Sequence, residues 1–192
     1  MTGNLEYLMA SLPTLSFEDA ETDHARILHV LNKYAGSREG EQDPIAILEE
    51  EAAKFLPESD ARLFSEINLN HLHKNDEAWA QHTVLEAFGQ FMQGLKQDIK
   101  RLRQARKAGP DAGKAKGLIL PIDPGDPLEE ELFLLGLQWA KLDELSFGRY
   151  ADFGALILYK LKLLVLARRW TFDQEKGLET FMAITKTTEY GG

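Results

Sequence analysis

Two stretches of this chain repeat apolar residues at alternating spacings of four and three, a pattern suited to helices packed side by side. Phe88, Met92, Leu95, Ile99 and Leu102 form the first stripe, and Leu128, Leu132, Leu135, Trp139 and Leu142 the second. On a helix such residues make a narrow seam that meets a neighbour at a shallow angle, as in bundles and coiled coils. The spacing predicts one helix from about Asp76 to Lys107 and another opening at Asp126–Pro127, where an N-cap aspartate precedes a first-turn proline. Between them residues 108–125 carry four Gly and three Pro, a linker in which Leu118-Ile119-Leu120 is expected to dock on the helices. Two long helices joined in this way are expected to form an antiparallel hairpin.

The segment Tyr150 to Trp170 differs. Leu156, Ile157, Leu158, Leu161, Leu163, Leu164, Val165 and Leu166 cover nearly every side of a helix, which marks a buried central element. Lys160 and Lys162 interrupt it and must pair or snorkel, because an isolated buried ammonium is costly. They also leave it short of the ~20 apolar residues of a membrane span. Leu156, Leu161, Leu164, Leu135, Trp139 and Leu95 are expected to be buried together. Upstream, helices are expected from Thr22 or Asp23 to Gly36, from Asp43–Pro44 to before Pro57, and from a Ser59 cap through Leu63, Phe64, Ile67 and Leu72. Asp173 is expected to cap a last helix burying Leu178, Phe181 and Met182.

No run alternates as a strand would. The expected fold is therefore all-α: a helical bundle with two long antiparallel helices and a buried central helix, its helix content above roughly 60% against the usual third. With 192 residues, 44% of them apolar, the chain reads as a single helical domain. Its subregions are 1–75, a long-helix hairpin over 76–145 with linker 108–125, and C-terminal helices over 148–187.

Charge is unevenly spread. The net charge is −9, yet residues 96–117 hold 8 Lys/Arg against 2 Asp/Glu, while residues 1–95 hold 6 against 17. An acidic body disfavours nucleic acid as a partner. The basic island has two readings. Lys100, Arg103 and Lys107 share a helix face beside Ile99 and Leu102, and with Arg106 they form a candidate surface for an acidic protein partner. Alternatively the cluster, with Lys114 and Lys116 beyond it, is a solvated helix end favoured by the macrodipole.

The motifs of catalysis fall short. Glu21-x-x-His24 lacks the second such pair that a di-iron bundle needs. His71 and His73 diverge on a helix, and Gly109-Pro-Asp-Ala-Gly113-Lys114 has neither the spacing nor the preceding strand of a phosphate loop. Cysteine is absent, which removes thiolate chemistry. We expect no enzyme, no cofactor and no metal. The N-terminus lacks an export signal pattern, so a cytoplasmic location is expected.

A family resemblance enters through particular strings. They are Arg101-Leu102-Arg103-Gln104-Ala105-Arg106, then Asp126-Pro127-Leu128-Glu129, and Trp139-Ala140-Lys141-Leu142-Asp143-Glu144-Leu145. Gly148, Phe153, Leu156, Tyr159-Lys160-Leu161, Leu164 and Arg168-Arg169-Trp170 continue the pattern, and Tyr7 to Phe17 matches the family's opening phrase. Together they resemble an uncharacterised bacterial family encoded with V-type (A/V-type) ATPase genes. That family is itself distantly similar to the helical socket component of the ATPase central stalk, which sits between the shaft and the membrane ring. The resemblance implies a non-catalytic structural, accessory or assembly component, with ATPase stalk subunits as partners and a location peripheral to the membrane through the ATPase. Length is a departure, since the socket component comprises three comparable bundles and this chain holds too few residues for them. An unrelated all-α adaptor binding a protein partner is the alternative. A metal-dependent helical enzyme using His24, His71, His73 or His82 ranks third.

Overall fold

A computed structural model describes residues 5–18, 20–35, 43–72, 81–108, 117–121 and 125–172. Helix makes up 74% of the structure. Among the described residues there are seven helices and no strand: α1 (Leu5–Ser11), α2 (Ala20–Ala35), α3 (Pro44–Ala53), α4 (Glu58–Glu66), α5 (Thr83–Ala108), α6 (Pro127–Ser146) and α7 (Phe153–Trp170). The fold is all-α.

The helix with apolar residues on every side is the hub. α7 touches α2, α3, α5 and α6, and packs most extensively on α6. Asp152 caps it, accepting from the Ala155 amide at 2.6 Å. Leu156, Ile157, Leu161, Leu163, Val165 and Leu166 have no exposed surface. Against them lie Ile27 and Leu31 of α2, Ile47 and Leu48 of α3, Phe64 of α4, Phe88 of α5 and Leu135 and Leu142 of α6. Lys162 reaches Asp143 at 2.6 Å and Arg168 reaches Glu131 at 3.3 Å, so α6 and α7 run in opposite directions.

Lys160 is wholly buried, and it pairs rather than snorkels. Its Nζ donates to the Phe64 carbonyl, lies 3.4 Å from the Ser65 carbonyl and 2.7 Å from Glu49 Oε1, and sits 4.8 Å from the Phe64 ring centroid. The ammonium thus ties α7 to α3 and to the last turn of α4, where helix carbonyls lack intrahelical donors.

Residues 12–17 form a strap across the outer face of α6 and α7. Tyr159 donates to the Pro13 carbonyl at 2.9 Å, Arg26 to the Thr14 carbonyl at 2.6 Å, and Arg169 to the Phe17 carbonyl. The Phe17 ring lies 5.5 Å from Trp139 and 4.4 Å from the Arg169 guanidinium.

Several expectations change. Trp139 and Leu164 are half-buried rather than buried, packed on the edge of the core, and Leu95 is buried but outside the main cluster. Ser59 does not cap α4; the helix begins at Glu58 after Pro57, and the Ser59 hydroxyl turns to Asp60 instead. Ile67 and Leu72 are buried from a turn after α4, where Asn68 accepts from the Asn70 amide at 2.9 Å. α2 starts earlier, at Ala20, and α5 starts later, at Thr83, after a turn at Gln81–His82. Leu118-Ile119-Leu120 is half-buried. The Asp173 helix, His73, Lys114 and Lys116 lie outside the described residues.

The turn after α4 presses on α5 at one point. A Cβ at Gly89 would stand 2.8 Å from the Leu72 carbonyl oxygen, whereas one at Gly94 meets nothing within 4 Å. Gly89→Ala is therefore expected to destabilise by about 1–3 kcal/mol through overpacking, despite the ~1 kcal/mol that alanine gains in a helix interior. Gly94→Ala, on the same helix, is expected to stabilise. Urea midpoints of the two variants read the difference, and equal shifts would remove the close approach.

Candidate functional site

The two striped helices are in contact. At one end Arg106 of α5 joins Glu130 of α6, its Nη1 donating to Oε2 at 3.0 Å and its Nη2 to the Pro121 carbonyl at 3.0 Å. Glu130 Oε1 also accepts from the Gly125 amide at 3.1 Å. Hydrogen bonding from Arg106, then from Gly125, holds the Glu130 carboxyl below the usual carboxylate range, and the same pair raises the Arg106 pKa. Arg106 thus joins the end of α5 to α6 and to Pro121 of the linker, while Glu130 holds Gly125.

Beside this clamp residues of α5 and α6, with Leu69 and Asn70, line a cleft of about 760 Å³. Met92, Leu95, Ile99, Leu134 and Leu69 supply apolar lining. Lys96, Lys100 and Arg103 line it from α5, with Met92, Lys96, Ile99 and Arg103 following the four–three–four spacing of one helix face. All three cations are exposed, and among the described residues none has an ion-pair partner. The opposite wall offers Glu131, whose carboxylate already holds Arg168. Gln138 lines the cleft too; it is 8% exposed, its Nε2 donates to the Leu134 carbonyl at 3.3 Å, and its Oε1 has no donor among the described residues. The cleft is apolar inside and positive along one edge.

The four residues singled out from the sequence therefore part company. Lys100 and Arg103 line the cleft, Lys107 is exposed one turn beyond Arg103, and Arg106 is held inside the fold by Glu130. Lys96 takes the remaining place on the rim. Its signal was present in the sequence, since Lys96, Lys100 and Arg103 stand four and three apart, but the choice of face depends on which side of α5 meets α6.

The histidines are scattered. His24 stacks on Trp170 at 4.4 Å, His82 meets the edge of Phe153 at 5.4 Å, and His71 is exposed in its turn. Among the described residues no three His, Asp or Glu side chains gather as metal ligands, and no helix is long and apolar enough to cross a membrane.

No protein-family model, curated protein or solved structure matches the chain. The cleft itself must carry the functional reading. An apolar trough with convergent polar groups is the usual form of a binding site, and a rim of exposed cations selects what can enter it.

Proposed function

We propose that the protein is a non-catalytic binding component, an accessory or assembly part of a V-type ATPase stalk sector. The observation that supports a binding role is the α5/α6 cleft, where Lys96, Lys100 and Arg103, without ion-pair partners among the described residues, border apolar side chains in a chain of net charge −9. Cations of this kind steer an acidic protein surface and repel basic ones. The ATPase as partner rests on the resemblance carried by residues 101–170 and by Tyr7 to Phe17. Through that partner the chain would sit beside a membrane without entering it.

The same cleft favours a second reading, an adaptor unrelated to the ATPase, because an apolar groove on a helical bundle suits many protein partners. Capture of isolated V-type ATPase sectors by the tagged protein separates the two. The expected result is capture that weakens as salt rises and is lost when Lys96, Lys100 and Arg103 are all changed to Glu. Capture unaffected by the triple reversal would overturn the cleft as the contact. No capture at either ionic strength would leave the adaptor reading in place of the ATPase one.

A further inference from the structure

We infer that the α5/α6 cleft receives one acidic amphipathic helix of a protein partner, laid along α5 as the missing third member of the seam. The inference rests on the reading of the cleft as a protein-binding site and specifies what enters it. Between Met92 and Arg103 the trough runs about three helical turns, roughly 16 Å at 1.5 Å per residue. Its interior is built from Ile99, Leu95 and Leu134, which present the ridges that a further helix packs between.

The charges define the partner's flank. Lys96, Lys100 and Arg103 repeat at four and three, so their heads follow one edge of the trough. A helix lying alongside would answer them with Asp or Glu at i, i+4 and i+7, next to an apolar stripe of the same period. The facing wall carries one carboxylate, Glu131, and it is paired with Arg168. Gln138, a buried residue, contributes an acceptor, Oε1, without a donor among the described residues, so the partner's stripe should carry one Ser, Thr, Asn or Gln at that level. A phosphate backbone would satisfy the cations but leave the apolar interior and this acceptor unanswered.

The test uses the full chain and a fluorescently labelled synthetic helix of three to four turns, with leucines at i, i+4, i+7 and glutamates on the flanking face. A second peptide carries lysine in place of every glutamate. Anisotropy titration should show the acidic peptide binding about tenfold tighter or more, with the advantage shrinking as salt rises. In the Lys96→Glu/Lys100→Glu/Arg103→Glu protein the preference should invert in favour of the lysine peptide. That inversion is a readout that general unfolding does not produce. Equal binding of the two peptides, or no inversion, would overturn the inference, as would sedimentation showing that a second copy of the chain occupies the cleft and excludes the peptide. Failure with the peptides alongside persistent, reversal-sensitive capture of ATPase sectors would remove the acidic helix and leave the proposed function. Peptide binding without ATPase capture would do the opposite.

Discussion

Lys160→Ala should cost about 3–5 kcal/mol, because it breaks a buried charge pair and opens a cavity in the same step. The residue has no exposed surface, and three oxygens lie against its ammonium: the Phe64 and Ser65 carbonyls and Glu49 Oε1. The carbonyls end α4, so its last turn would lose its anchor to α7. Lys160→Met keeps most of the volume and removes the desolvated charge, while Glu49, 30% exposed, can turn to water. Its loss should be clearly smaller than that of alanine. Burial, only partly offset by the Glu49 carboxylate, holds the lysine below its ordinary pKa of 10.5. In the interval between the lowered value and 10.5 the unfolded chain binds more protons than the folded one. This group therefore makes stability rise with pH across that interval, and its penalty is fully present below it. Urea titrations over an alkaline pH series would show the slope in the wild type and its loss in Lys160→Met. An alanine loss no larger than the ~0.5 kcal/mol of a surface change would remove the anchor.

Leu161→Ala should cost about 2–5 kcal/mol and Leu164→Ala distinctly less. Leu161 has no exposed surface and lies in the main core, whereas Leu164 is half-buried at the core's margin, where water can fill the space a truncation leaves. Both should shift the urea midpoint with little change in slope, since the surface exposed on unfolding is nearly the same. Equal shifts would mean that the two positions share one environment and that α7 is rotated from the orientation described.

The legible part of this fold was periodicity. The four–three stripes and the all-round apolar segment gave the long helices and their hub, because those patterns must be buried locally in a helix. The Asp43–Pro44 and Asp126–Pro127 caps were legible for the same local reason, and both aspartates accept from the amide two residues on at 3.0 Å. Partnership at a distance was not. Lys160 had to find an acceptor, but Phe64 is 96 residues away and nothing in either segment marks the pairing. Arg106 looked like one cation among several; only the approach of Glu130 across the hairpin separates it from Lys100 and Arg103. Trp139 kept its place in the stripe and packs against the core, but its ring also meets Phe17, far upstream. The cleft is lined from α5, α6 and the turn after α4 together, and how these sit is set by everything packed around them.

The strap over α6 and α7 imposes an order on folding. Tyr159 and Pro13 stand 146 residues apart, and Arg169 and Phe17 stand 152 apart. Helical domains dominated by local contacts fold quickly, but closing loops of this length carries an entropic cost that neighbouring turns do not. The strap should therefore join after the helices have assembled, and interactions formed that late act by slowing the escape from the native state. During synthesis at about 5–20 residues per second, Leu12, Leu15 and Phe17 would wait roughly 8–30 s for α7 to emerge. For that interval the nascent chain carries three apolar side chains in a segment whose α7 partners, Tyr159 and Arg169, have not yet been made.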